Sequence, residues 1–356
     1  MVVLYIIGAG SSRNYDKCVS PVPDLKPPIN RDFFKMAKKI IDYYDMSHMY
    51  GPVDNLDHLM GELNRLYGHG QSQSDTTVLD DDRLNLEAVM THFYLKSGIL
   101  DADLPQALRA SSLRTQTLNE LLAYTLAESL MGPVCTKHIV LSERMEKGDV
   151  VWNFNYDLLM DNALYATKKL TDSGYVIRVD YTFVNDNWEK TRDDPSDVTL
   201  LKLHGSLNWL KCANCGLMLL LRNMKSVPAL WTVIRDLPME TIQCPKCSSV
   251  KRVGLQRIIV PPSLVKSYGE LQIRYLWKYA YSLTDIDRLV VIGFRFSEQD
   301  PELEMLLRTM VQKGHIAADV PIHIVNPRPK VVEKRFHSIF YRSEITNEPP
   351  GSFFRK

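Results

Sequence analysis

The sequence predicts an α/β protein: a doubly wound parallel sheet that carries a helical insertion and a small cysteine-rich ribbon. Three observations predict it. Short apolar runs recur along the chain, each closed by glycine or polar residues; about a hundred residues after the first run carry helical periodicity instead; and four of the six cysteines form two C-x-x-C pairs. At 356 residues the chain can hold about two domains, with a large core and a cleft between lobes.

Val2 to Ile7 is a continuous β-branched and apolar run, the pattern of a strand buried on both faces. It enters the turn Gly8, Ala9, Gly10, Ser11, Ser12. Glycine there lets backbone N–H groups approach a pyrophosphate, and the serines add hydroxyl donors. The third glycine of the usual dinucleotide fingerprint is missing, so a plain strand-to-helix turn fits as well. After the proline-rich loop "SPVPDLKPPIN" come four apolar stripes at helical spacing. They are Phe33, Ala37, Ile40, Ile41 and Tyr44; Leu56, Leu59, Met60, Leu63, Leu66 and Tyr67; Leu86, Val89, Met90 and Phe93; and Leu118, Leu121, Leu122, Leu126 and Leu130. Together they define an insertion over 30–135, in which the polar "GHGQSQSDTTVLDDD" is expected to be an exposed loop.

Apolar runs return at Val150 to Phe154, Val198 to Leu203, Arg257 to Val260, Leu289 to Ile292 and Ile322 to Val325, several of them separated by helix-like segments. This assigns the sheet lobe to 1–29, 136–211 and 248–340, with 212–247 as the ribbon and 341–356 as a tail. Ligands of such a sheet bind at the carboxyl ends of its strands, so the residues just after each run are the candidates. Asn155 and Asp157, in "NFNYD", can hydrogen-bond ribose hydroxyls or hold a water, or else form an Asx turn capping the helix near Leu158. Histidine as a residue type titrates near neutral pH, so His204 suits general-base work, with Gly205 leaving room beside it; a structural histidine is the alternative. Gly293, Ser297 and Asp300, in "VVIGFRFSEQDPEL", and Asn326, closing "IHIVN", are placed in the same way or are simply loop polarity.

Cys212 and Cys215 are separated by 28 residues from Cys244 and Cys247. Two such turns can present four thiolates tetrahedrally to zinc, and with no open position that metal is structural; a redox dithiol is the alternative. Cys18 and Cys135 have no partner spacing. Paired cysteines of this kind point to a reducing compartment. The N-terminus has no basic region ahead of its apolar run, and no segment approaches the roughly 18 apolar residues of a membrane span, so a soluble cytoplasmic protein is expected. With 43 Lys and Arg against 42 Asp and Glu, no global positive field draws nucleic acid, and direct binding to it is not expected.

The order of these motifs resembles the sirtuin family over nearly the whole chain outside the helical insertion and the tail. "FNYD", "LHGSLNW" and "IGFRFSEQD" are most similar to the motifs of the bacterial and archaeal sirtuin-like NAD hydrolases. The resemblance implies a Rossmann-like, sirtuin-like fold with structural Zn2+, and NAD as substrate. It implies Gly8, Ala9, Gly10, Ser11 and Ser12 as the pyrophosphate turn, Asn155 and Asp157 at the nicotinamide ribose, and His204 as general base. It places Gly293, Ser297 and Asn326 near the adenosine half, with Phe294, Arg295 and Asp300 beside them as further cofactor-binding candidates.

The same resemblance implies hydrolysis of NAD to nicotinamide and ADP-ribose, depleting host NAD in antiviral defence. It also implies a homo-oligomer and a separate sensor, ATPase or Argonaute-like partner. The sequence departs from the deacylase branch. "NYDKCVSPVPDLKPPINRDFF" replaces the "GIPDFR"-like stretch, Phe154 stands where Gln precedes the catalytic Asn, and Arg295 stands where a small serine is usual. A deacylase, an ADP-ribosyl transferase and a non-catalytic NAD or ADP-ribose sensor are the alternatives. Arg295 is expected either to be buried against a phosphate or to point outward and pair with Glu298 or Asp300.

Overall fold

The computed structural model describes residues 1–13, 15–45, 56–68, 76–96, 105–184, 187–222, 243–248, 255–264, 266, 268–296 and 300–354, with backbone alone for 105–113. In chain order the main elements are β1 (Val2–Ile7), α1 (Phe33–Tyr43), α2 (Leu56–Tyr67), α3 (Leu86–Leu95), α4 (Pro105–Ser129), α5 (Thr136–Arg144), β2 (Val150–Asn153), α6 (Leu159–Ala166), β3 (Tyr181–Val184), β4 (Asn187–Lys190), β5 (Thr199–Lys202), β6 (Gly205–Cys212), β7 (Met218–Leu221), β8 (Leu255–Ile259), α7 (Leu271–Ser282), β9 (Ile286–Ile292), α8 (Pro301–Gln312), β10 (Ile322–Val325), α9 (Pro329–Ile339) and β11 (Ile345–Glu348).

Six strands form one parallel sheet in the order β11-β10-β9-β1-β2-β5, flanked by helices. Its central strands read as unbroken apolar runs because both faces are covered: Leu4, Ile6, Val151, Trp152, Leu289 and Val291 are fully buried. From β1 the chain adds strands outward to one side through β5, then crosses over and adds β9, β10 and β11 on the other. This order is compatible with a Rossmann-like fold and puts the topological switch point between β1 and β9. Because the pairing is parallel, Ile7, Asn153, Lys202, Ile292 and Val325 lie in register at one edge, and the candidate residues follow them.

Two boundaries differ from expectation. The segment 341–356 is not merely a tail: β11 is the sheet's sixth strand, parallel to β10. Its sequence, Ile-Thr-Asn-Glu, has no apolar run because an edge strand buries little. The run Arg257 to Val260 does not join the parallel sheet. As β8 it pairs antiparallel with β6 in a second, five-stranded sheet ordered β4-β3-β7-β6-β8. That sheet takes in residues assigned to the main lobe; only β7 lies inside the expected ribbon, and β6 ends at its first cysteine.

The helical insertion packs on the second sheet. Phe33, Ile40, Leu59, Leu63, Val89, Phe93, Leu118 and Leu121 share one core with Leu210, Leu219 and Leu255. The stripes read from the sequence are the buried faces of α1 to α4. Asn85 caps α3, its side chain accepting from the N–H groups of Glu87 at 3.0 Å and Ala88 at 3.3 Å. The polar loop expected to be exposed is partly a 3-10 turn, Thr76–Asp80, whose Val78 and Leu79 are fully buried; residues 69–75 lie outside the described residues. No helix among the described residues is long and apolar enough to cross a membrane.

Candidate functional site

Two glycine turns meet at the switch point. The N–H of Gly8 donates to Ile292 O at 3.0 Å and that of Gly10 to Gly293 O at 2.9 Å, while Ser11 and Ser12 donate back to Gly8 O and Ala9 O. Four of the five amides expected to face a pyrophosphate, those of Gly8, Gly10, Ser11 and Ser12, are thus engaged by protein carbonyls. The glycines serve a different purpose from the one expected. A Cβ on Gly10 would meet Gly293 O at 2.7 Å, and one on Gly293, whose φ is +59°, would meet Ser11 N at 2.1 Å. Replacing Gly293 by alanine is expected to destabilise the fold by at least roughly 1–3 kcal/mol, from left-handed strain and overpacking together. Denaturant unfolding with a midpoint unchanged from the parent would show that the two turns can separate.

Beside this contact, Asn155 crosses from β2 to the turn. Its Nδ2 lies 3.1 Å from Gly8 O, 3.2 Å from Ser11 Oγ and 3.1 Å from Ser12 Oγ. The N–H of Asn155 is fixed by Asn153 Oδ1 at 2.9 Å. Asp157 accepts from Ser12 Oγ at 2.7 Å through one oxygen and from the Leu159 N–H at 3.0 Å through the other. The second bond is the Asx turn foreseen as the alternative, and the first ties the turn to β2. Below them, buried Lys202 donates to the carbonyl of Asp157 and lies 3.1 Å from Asp161 Oδ2, which forms the wholly buried ion pair of the site.

Ala9, Ser12, Phe154, Asn155, Tyr156 and Asp157 line one wall of a cavity with about 530 Å³ of empty space, part of it open to solvent. The opposite wall belongs to the insertion and its approach: Pro27, Pro28, Asn30, Phe33, Leu86, Leu122 and Leu126. A mostly apolar cleft with a few convergent polar groups is the usual form of a small-molecule site.

His204 stands at the junction of β5 and β6, held by its own carbonyl, which accepts from the Val260 N–H at 2.8 Å. It does not line the cavity itself but packs edge-on against Phe154, with ring centroids 5.1 Å apart, and stacks with Tyr156 at 6.4 Å; both of these do line it. The space expected beside Gly205 is taken by a carbonyl: a Cβ there would meet Ile258 O at 2.1 Å. The His204 Nε2 lies 3.8 Å from Glu302 Oε1. Glu302 also accepts from Tyr268 Oη at 2.6 Å and Lys266 Nζ at 2.5 Å, and Lys266 pairs with Asp300 as well. Burial acts to raise the Glu302 carboxyl, but the nearby His204 imidazole and the hydrogen bonds from Lys266 and Tyr268 outweigh it and hold the group down at about 2. Glu87, from α3, is raised by burial and by the charge of Asp300. The ligand atoms of His204, Asp300 and Glu302 lie within 4.8 Å of one another. The Lys266 ammonium already bridges the two carboxylates, so no cation is needed to hold them together.

Phe294 is buried against Phe154, with centroids 4.9 Å apart. Asn326 donates to Phe294 O at 3.0 Å and accepts from the Arg328 N–H at 2.9 Å, so it braces the β9 loop. Arg295 is exposed, not buried, and Asp300 is held by Lys266. Ser297 and Glu298 lie outside the described residues. Sequence reading missed Tyr156, Lys266, Tyr268, Trp277 and Glu302. Tyr156 sits inside "NYD" and could have been found there; the others share no local spacing with His204.

The four cysteines come together. Sγ of Cys212 is 3.4 Å from that of Cys247, and Sγ of Cys215 is 3.5 Å from that of Cys244. Disulfide sulfurs stand about 2.05 Å apart, so these are separate thiols. Four sulfurs so placed can bind a metal such as zinc after spreading by a few tenths of an ångström, since Zn–S bonds are about 2.3 Å long. Most of the ribbon between the pairs, 223–242, lies outside the described residues.

No family model matches the chain, and no curated protein matches it.

Proposed function

We propose that the chain is a sirtuin-like NAD hydrolase that cleaves the nicotinamide glycosidic bond to give nicotinamide and ADP-ribose. One observation carries the reading: the motif residues Ser12, Asn155 and Asp157 converge by hydrogen bonds on one wall of a cleft at the carboxyl edge of the parallel sheet. Asn155 is anchored through its nitrogen. Its carbonyl oxygen is therefore the end that addresses a ligand, and an acceptor there stabilises the positive charge that grows on the ribose as nicotinamide leaves. Asp157 acts through Ser12, and His204, behind Tyr156 and Phe154, is the base for an attacking water. The wall formed by helical residues and Pro27 to Asn30 also limits water around the reacting bond.

The zinc bound by Cys212, Cys215, Cys244 and Cys247 is structural in this reading. The sirtuin-like resemblance extends the proposal to NAD depletion in antiviral defence, in a homo-oligomer with a separate sensor, ATPase or Argonaute-like partner.

Incubation of the pure protein with NAD, with and without an acylated peptide, tests the reaction. Nicotinamide and ADP-ribose released without peptide are the expected products. Asn155→Ala is expected to abolish release in a protein that still folds, with a lowered melting temperature because its bonds to the Gly8–Ser12 turn are lost. Release that requires the peptide points to a deacylase instead, and an Asn155→Ala variant as active as the parent removes that residue from the chemistry.

A further inference from the structure

The two ring nitrogens of His204 do not face equivalent surroundings. Among the described residues the buried Nε2 makes no hydrogen bond, yet it points at the Glu302 carboxylate 3.8 Å away, and the side chain is nine-tenths buried. Phe154, Tyr156 and Trp277 pack around the imidazole, and Trp277 donates to Leu203 O at 3.0 Å, which fixes the strand end beside it. Glu302 itself has little freedom, since Lys266 and Tyr268 both donate to its Oε1.

A carboxylate can only accept hydrogen bonds, so the imidazole nitrogen turned toward it is the one that carries the proton. We propose that Glu302, held by Lys266 and Tyr268, is a positioning residue that fixes His204 in its Nε2–H form and makes Nδ1 the basic atom. The use of that base rests on the NAD-cleaving reading; the tautomer is a property of the resting protein. In the reaction, Nδ1 takes a proton from water, the O–H electron pair stays on oxygen, and that oxygen bonds to the anomeric carbon. The C–N pair leaves with nicotinamide, and the imidazolium returns its proton to solvent. The positive charge on His204 then lies beside Glu302, and the contact shortens to a hydrogen bond, as catalytic contacts commonly do once a ligand is bound.

The charged and titratable groups around this pair come from four directions. Glu302 and Asp300 belong to the start of α8, Lys266 and Tyr268 to the loop before α7, Glu87 to α3, and Tyr156 to the segment after β2. Lys266 offsets one of the carboxylates, so the cluster keeps a net negative charge toward the imidazole.

The test is a pH titration of the full chain labelled with 15N-histidine, followed through the two-bond couplings of each ring. In the neutral ring of His204 the proton should sit on Nε2. Glu302→Gln should lower its proton affinity about tenfold or more, as removal of a carboxylate within 4–6 Å does. Tyr268→Phe removes a donor from Glu302 and should raise it, whereas general loosening of the pocket would move both variants the same way. An Nδ1–H tautomer in the parent, or equal His204 titration in Glu302→Gln, overturns the proposal. If Glu302→Gln does not fold, no rise in Tyr268→Phe overturns it as well. The acid limb of NAD cleavage should shift with the His204 titration. A protein that does not cleave NAD leaves the spectroscopic result standing, which separates the two readings.

Discussion

Replacing Asp161 by alanine is expected to remove about 3–5 kcal/mol of stability, because it leaves the Lys202 ammonium buried with no counter-charge. Lys202 is fully buried at the end of β5, and Asp161 is almost as deeply buried in α6. Among the described residues the ammonium's other bond is to the carbonyl of Asp157, which is neutral and cannot balance its charge. Asp161 also accepts from Tyr175 Oη at 2.7 Å, so alanine orphans a second buried donor. The double variant Lys202→Met, Asp161→Leu removes both charges and should recover most of the loss, since a buried pair is often no better than a well-packed apolar one. Urea unfolding of the parent and both variants decides it. A loss under about 1 kcal/mol in Asp161→Ala would mean that water or a local shift reaches the ammonium.

The second large effect concerns the cysteines. Cys212→Ser or Cys244→Ser is expected to strip the metal and lower the melting temperature by about 10 °C or more, because a structural zinc site contributes directly to folding. Both residues are buried in the core shared by the helical insertion and the second sheet, so the damage should not stay within the ribbon. Metal analysis of the parent should find about one zinc per chain. Protein that carries no metal and melts unchanged in the serine variants would leave the four thiols without a purpose.

The parallel strands were legible in the sequence because burial on both faces writes them as continuous apolar runs: Ile322 to Val325 is β10 residue for residue. The helical stripes were legible for the same reason, applied at a period of 3.6. β4, Asn-Trp-Glu-Lys, and β11 were not, since short strands with exposed faces carry no hydrophobic signature. At the site, Asn155, Asp157 and His204 announced themselves by following apolar runs. Lys266, Tyr268 and Glu302 converge on His204 from two segments remote from it, and only tertiary folding brings them there. The glycine turn misled because Gly10 and Gly293 answer a demand for backbone contact, which looks in one sequence like a demand for phosphate.

The central position of β1 has a consequence for biosynthesis. Strand β1 is made long before one of its two neighbours: in the finished sheet it is flanked by β2 and β9, and β9 begins only at Ile286. At roughly 5–20 residues per second, one apolar edge of the nascent chain waits tens of seconds for its second neighbour. Throughout that interval it is an open template for pairing with other chains, so recombinant yield should respond to slower translation, lower temperature and chaperone supply more than the stability of the finished protein would imply.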